Sequence, residues 1–460
     1  MLSNLFTIEP VSDRQVIVCI TLIALLSLMP GLIGNHAIIE AEARCAAINE
    51  HMVASGDLLI PRLEGRPHLT KPPLFHWLAF FVAKVTGQSG LTSVRLVSAG
   101  AAFVLALLVF YMGSRSYDRG SGFWAAVICV TSYGVLEYAH RGMFDTLLAF
   151  FVTLSIYSFL AWRKEKECRW LIVWTLALAA GFMTKGFLAW ILPIPVLVVD
   201  MFRNRPTRQE IGHLVMTTSI GVVLGLLWYG YLLIGVPEAR EVLLSVMTVN
   251  FGTNTSSATM AFHDEPFWYY FYAWPLALLP WLFLMIPVGK RLLSPSSWNR
   301  DEWAYVLWLF IGACFLFFVP AKAVRYLVPL IPAWSLLAGR ALYHTREIPR
   351  FLPRAVGGCL LLIGLALPFW LYIRLGEAGC INAIASGVVT ILGIAAFRLK
   401  MPRQLANLCL LVLILFLPIY YSRWLPAHRQ LSENHHSPEY KAYRARRASF
   451  EQLFKQDNAS

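Results

Sequence analysis

Residues 39–77 read IEAEARCAAINEHMVASGDLLIPRLEGRPHLTKPPLFHW. The stretch follows on an apolar run at 15–33, and acids, bases, histidines and turn-forming residues crowd into it. Around it the chain is strongly apolar: 58% of residues are hydrophobic and 14% charged, against roughly 25% charged in soluble domains. Mean hydropathy is +0.59. Runs near the ~20 residues that cross a bilayer recur throughout. They lie at 15–33, 93–113, 120–136, 143–162, 170–184, 187–202, 212–235, 267–288, 303–320, 325–343, 355–375, 381–398 and 404–422, which makes about thirteen spans. The expected fold class is therefore an all-α polytopic membrane protein, with its chemistry where a polar loop meets the bilayer surface.

The charges set the expected orientation. With a cytoplasmic N-terminus, the even-numbered connections should be rich in Lys and Arg. They hold Arg115 and Arg119, then Arg163, Lys164, Lys166 and Arg169, then Arg203, Arg205 and Arg208, with similar groups near 290–300, 346–354 and 398–403. Most carboxylates fall on the opposite connections, among them Glu40, Glu42, Glu50, Asp57, Glu64, Glu238, Glu241, Asp264 and Glu265. Loops 34–92 and 236–266 are then extracytoplasmic. The net charge of +13 belongs to these membrane-side loops and does not indicate a nucleic-acid partner. Residues 1–422 form one transmembrane unit whose first span is expected to be a retained anchor. Residues 423–460 form a basic tail suited to an anionic lipid surface. The eight cysteines contain no CxxC pair.

Within the first outer loop, residues 40–54 alternate as a short amphipathic helix, with Ala43, Ala46, Ala47 and Met52 toward the membrane side. Glu42 and Arg44 stand near its start. A carboxylate at that depth is partly shielded and suited to general-base work, while an acid is also favoured at a helix start by the dipole alone; both readings stay open. Pro61 to Gly65, with Arg62, looks like a strand end and a turn. Pro72 and Pro73 remove two backbone donors and fix an extended approach, so Lys71 is held rigidly before the aromatic run Leu74–Val82, an interfacial helix. A lysine at headgroup depth is a partner for a lipid phosphate; snorkelling is the alternative.

Other charges stand at the outer ends of later spans: Arg141 and Asp145, Lys185, and Lys322 with Arg325 and Tyr326. Charge at bilayer depth costs roughly 2.5–3.5 kcal/mol on insertion scales, so such residues tend to face a cavity. Their shared side with Lys71 points to an anion site. His263 with Asp264 or Glu265 offers donors for a divalent metal, which stays an open alternative on a thin ligand set.

Glu42–Arg44, SGDLLIPRLEG at 55–65 and KPPLFHW at 71–77 resemble the first outer loop of membrane glycosyltransferases that use polyprenyl-phosphate sugars, the family of protein O-mannosyltransferases and lipid A aminoarabinose transferases. RGMFDTLLAFF at 141–151, TKGFLAWILP at 184–193, HDEPFWYY at 263–270 and VRYLVPLIP at 324–332 resemble later stations of it in the same order. The resemblance covers about residues 34–343. It implies the large membrane glycosyltransferase fold, an undecaprenyl-phosphate sugar donor, inverting displacement, and a bacterial inner-membrane location with the site facing the periplasm. The acceptor is then lipid A, another glycolipid or a protein. On the family pattern an acidic pair opens the helix at 41–42. Here Ala41 occupies the first position and only Glu42 matches, with Glu40 as a substitute by a small shift. Thr70 stands where an acid usually precedes the KPP lysine. Asp145 matches the family's second acid.

The resemblance and the charges agree on a division of labour. Lys71 with Lys185, Lys322 or Arg325 stabilises a departing phosphate; Tyr326 joins them in binding it, and Arg44, Arg62, Arg141 and His263 are supporting. Glu42, or failing it Asp145, is the base for a hydroxyl acceptor. A phosphate acceptor is already ionised and needs orientation more than deprotonation. The rival from another class is a secondary transporter or lipid flippase, against which stand the lack of two similar halves and the location of the densest polar cluster in a loop.

Overall fold

The computed structural model describes residues 12–32, 40–236, 240, 266–318, 322–345, 349, 351–362, 380–397, 399 and 402–419. His263, loop 241–265 and the tail 423–460 lie outside these residues. The first elements are α1 (Asp13–Leu32), α2 (Glu40–Ser55), β1 (Arg62–Leu63), β2 (Arg66–Pro67), α3 (Leu74–Thr86), α4 (Leu91–Ser116), α5 (Arg119–Thr131), α6 (Tyr133–Ala139), α7 (Asp145–Glu165), α8 (Cys168–Lys185), α9 (Leu188–Ile191), α10 (Pro193–Asn204) and α11 (Arg208–Gly235). Beyond these come Tyr269–Ala277, Met285–Leu292, Arg300–Phe318, a 3-10 stretch Val324–Leu330, Ile331–His344, Cys380–Ala396 and Pro402–Ile419. Among the described residues, five helices are long and apolar enough to cross a membrane, or up to seven if each bent pair is one span. One bent pair is α5 with α6, at 55°; the other is Tyr269–Ala277 with Trp281–Leu292, at 106°.

The bundle core is built from α4, α5, α7, α8, α11 and Ile331–His344, each packed lengthwise on its neighbour. Small residues permit that closeness, as in membrane helix pairs generally. At Gly339 a Cβ would sit 2.5 Å from the backbone nitrogen of Ala125, so Ile331–His344 and α5 touch backbone to backbone.

Charge separates along α7, whose 21 residues span about 30 Å. Asp145 opens it at one end. At the other, Arg163 lies 3.1 Å from Asp200, Lys164 lies 3.3 Å from Asp301, Arg115 pairs with Glu165 and Lys166 with Glu210. The basic residues that follow the second and fourth apolar runs are thus matched by carboxylates at the same end of the bundle.

The amphipathic helix at 40–54 behaves differently from its sequence reading. Ala43, Ala46 and Met52 are buried inside the protein, where α2 packs on α3 and α4. Alanine is small enough to let three helices meet there, so the apolar face serves the fold and not the lipid. By contrast α3 leaves Phe81 and Val85 two-thirds exposed, while Phe75, His76, Ala79 and Ala83 face inward.

Candidate active site

The 57–69 loop is tied down before it reaches Lys71. Asp57 accepts from the backbone of Leu59 and Ile60. Arg62 Nη1 donates to the Gly65 carbonyl at 3.0 Å, closing the β1–β2 turn. Trp77 Nε1 donates to the Leu58 carbonyl at 2.6 Å and Trp228 Nε1 to the Leu59 carbonyl at 2.8 Å, which anchors the loop to α3 and α11. The chain then passes through Pro72 and Pro73 into α3, so the Lys71 backbone is held on both sides.

Asp145 is fixed by a second framework. Ser98, buried on α4, accepts from the Met143 amide at 3.0 Å and donates to the Met143 carbonyl at 2.8 Å. Glu42 Oε1 accepts from the Gly142 amide at 3.1 Å and from Arg95 Nε at 2.7 Å. Asn49 accepts from Gly90 N and Ser93 Oγ, clamping α2 to the start of α4. Gly142 is needed where it stands: a Cβ there would lie 2.2 Å from Val94 Cγ2. Arg95, Ser98 and Asn49 escaped the sequence reading. Arg95 alone left a signal, as a charge within an apolar run.

These frameworks meet at a cavity of about 150 Å³. Lys71, Asp145, Lys185, Arg325 and Tyr326 line it, with Arg44, Ala41, His68, Thr70 and His76. Lys185 Nζ lies 2.5 Å from Asp145 Oδ1, and both side chains are almost fully buried. Lys185 also stands over the Tyr326 ring at 5.1 Å, and Arg325 over the same ring at 5.4 Å. Cation–π contacts of this kind fix cationic groups without neutralising them. Burial, and then the neighbouring Lys185 and Arg325, push the Lys71 ammonium down to about 8, with Asp145 pulling the other way. Burial also lowers His68, helped by Arg44 and Lys71.

The other sequence candidates stand elsewhere. Glu42 is fully buried against Arg95 and is not among the cavity's lining residues. Arg62 shapes the hairpin, and Arg141 pairs with Glu137 at 2.5 Å. Lys322 is buried just before the Val324–Leu330 stretch, also outside the lining. Chemically, the arrangement can hold an anion against four cations, Arg44, Lys71, Lys185 and Arg325, while a single buried carboxylate orients Lys185.

Residues 70–229 match the family described as dolichyl-phosphate-mannose-protein mannosyltransferase, a span that includes Lys71, Asp145 and Lys185. The chain is 28% identical over 351 residues to an undecaprenyl phosphate-alpha-4-amino-4-deoxy-L-arabinose arabinosyl transferase of Pseudomonas aeruginosa, covering 73% of this chain and 61% of that protein. It is 28% identical over 395 residues to the protein of the same name from Pectobacterium carotovorum, covering 83% and 70%. The chain thus spans about three fifths of the length of the first of these relatives. In fold it resembles the crystal structure of ArnT from Cupriavidus metallidurans bound to undecaprenyl phosphate, with a TM-score of 0.72 at 18% identity over 91% of this chain and 78% of that one. In sequence the chain is thus similar to dolichyl-phosphate-mannose-protein mannosyltransferases over residues 70–229 and to undecaprenyl phosphate-aminoarabinose transferases over most of its length, and in fold to ArnT.

Proposed function

We propose that this chain is a multi-pass enzyme of the bacterial inner membrane that moves a sugar from undecaprenyl phosphate to an extracytoplasmic acceptor, lipid A or another envelope glycolipid. The observation that carries the reading is the convergence of Lys71, Lys185 and Arg325, from three distant segments, on one cavity beside Asp145. About thirteen crossings, a cytoplasmic N-terminus and a periplasmic cavity belong to the same proposal. Supporting them, every apolar run of the sequence overlaps a described helix, and Arg115, Arg163 and Lys166 gather at the far end of α7 from the cavity.

The chemistry is an inverting displacement. The acceptor oxygen forms a bond to the anomeric carbon as the bond from that carbon to the phosphate oxygen breaks, and the electron pair leaves with the phosphate. A phosphodiester of one negative charge becomes a monoester carrying up to two. Preorganised cations aimed at charge that develops in the transition state give the largest single catalytic contribution in such sites; Lys71, Lys185 and Arg325 stand where they would supply it. Asp145 orients Lys185, and Glu42 positions the Gly142–Asp145 segment through its bonds to Arg95 and Gly142. An apolar groove of about 480 Å³, lined by Tyr270, Trp274, Leu309, Phe317 and Leu327 among others, gives a prenyl chain a path. Leu327 lies two residues from Arg325.

A glycolipid phosphate as acceptor suits the cavity, because it arrives ionised. The family description favours a second reading, a protein Ser/Thr acceptor. That hydroxyl needs a base, and Asp145, whose Oδ1 is bonded to Lys185, is the one carboxylate among the described lining residues. Mass spectrometry of lipid A and envelope glycoproteins from a deletion strain tests both. Loss of a sugar adduct from lipid A supports the first reading. Loss from glycoproteins supports the second, and an unchanged envelope contradicts both.

A further inference from the structure

The geometry points to a donor whose sugar carries no ammonium group: a neutral or carboxylated sugar on polyprenyl phosphate, and not an amino sugar. This rests on the reading above and narrows it to a substrate class. Four cations, Arg44, Lys71, Lys185 and Arg325, line the cavity against one carboxylate, Asp145, among the described lining residues. Asp145 is already bonded to Lys185 at 2.5 Å, and its charge also acts on Lys71 and Arg325. Its second oxygen, Oδ2, is buried without a hydrogen-bond partner, but it belongs to a carboxylate that serves three cations. The rest of the polar wall offers no anion: Arg44 is the fourth cation, and the other polar groups are uncharged. Ala41 and Thr70 have no charge to offer. His76 is held neutral by burial, pushed down to about 3, and burial and nearby cations lower His68 as well.

An ammonium entering this space finds like charges and no spare anion, and such a juxtaposition is what rejects a wrong ligand. Sugar hydroxyls, by contrast, find neutral donors and acceptors in His68, Thr70 and His76, and a sugar carboxylate finds surplus cations. The relatives reported above carry 4-amino-4-deoxy-L-arabinose in their names, so this chain departs from them in its donor.

The test uses the full-length chain reconstituted in phosphatidylethanolamine–phosphatidylglycerol vesicles. Binding is measured for sugar-free undecaprenyl phosphate and for its hexose, uronic acid and 4-amino-4-deoxy-arabinose conjugates. The expected result is binding of the sugar-free lipid, and Kd values for the hexose and uronate donors at least about tenfold below that of the amino sugar. Ala41→Asp and, separately, Thr70→Glu each place a carboxylate on the wall and should shrink that gap at least about threefold. An amino-sugar donor bound as tightly as the hexose donor, with the sugar-free lipid also bound, overturns the donor assignment alone. If wild type discriminates but both variants leave the gap intact, the charge argument is overturned. Failure to bind sugar-free undecaprenyl phosphate overturns the proposed function itself.

Discussion

Arg95 Nε donates to Glu42 Oε1 at 2.7 Å across 53 positions of sequence, with the Glu42 side chain fully enclosed and the Arg95 side chain nearly so. The pair ties α2 to α4, and through Gly142 it sets the start of α7. In the proposed mechanism Glu42 is therefore a positioning group. Removing one partner strands a buried charge, which costs about 3–5 kcal/mol, while replacing both with apolar residues of similar volume is often neutral. We therefore predict that Glu42→Leu or Arg95→Leu lowers the thermal stability of the purified protein sharply. The double variant should regain most of it. Additive losses in the double variant would contradict the pairing.

Lys71 gives the site a pH dependence. Its ammonium is held down to about 8, so the charge is largely present at pH 7 and is lost as pH rises through 8. A phosphodiester donor keeps one negative charge over that range, so its affinity should fall steadily between pH 7 and 9.5. In Lys71→Arg the guanidinium stays charged, and the fall should disappear. Donor titrations across that range check both outcomes.

Gly142 supports a packing prediction. Gly142→Ala places a methyl group 2.2 Å from Val94 Cγ2 and 2.7 Å from Val94 Cβ, and overpacking of this kind costs about 1–3 kcal/mol. Because Asp145 follows three residues on, transfer should drop more than expression does. Val94→Ala in the same chain should restore part of the activity.

The two tryptophans that hold the 58–59 carbonyls should act on binding. Trp77→Phe and Trp228→Phe each remove one hydrogen bond, worth about 1 kcal/mol, and loosen the loop that delivers Lys71. The expected result is a higher KM for donor with a smaller change in kcat, measured by steady-state kinetics.

Much of this site is legible in the sequence because charge beside a bilayer is costly and so conspicuous. Lys71, Asp145, Lys185, Arg325 and Tyr326 stand out as polar groups at the ends of apolar runs, and their common side follows from counting crossings. What joins them is harder to read. Ser98 and Arg95 sit within the apolar helix α4, and their partners, Met143 and Glu42, lie about half a hundred positions away. Glu42 reads as a base from its place near the membrane surface, and its burial against Arg95 is visible only in the structure. Ala43, Ala46 and Met52 form an apolar face that periodicity cannot assign to lipid or to protein, since both reward the same residues. The sharp bend between Tyr269–Ala277 and Trp281–Leu292 is equally hidden in a run that reads as one span.

The central claim is that Lys71 grips the phosphate of the lipid carrier. Its most direct measurement is the Kd of sugar-free undecaprenyl phosphate for wild type and for Lys71→Ala at pH 7, with folding of the variant checked by thermal unfolding. A charge-assisted contact worth about 1.5–3 kcal/mol predicts affinity weakened by roughly 10- to 150-fold. A folded Lys71→Ala protein that binds the lipid as tightly as wild type would contradict the account.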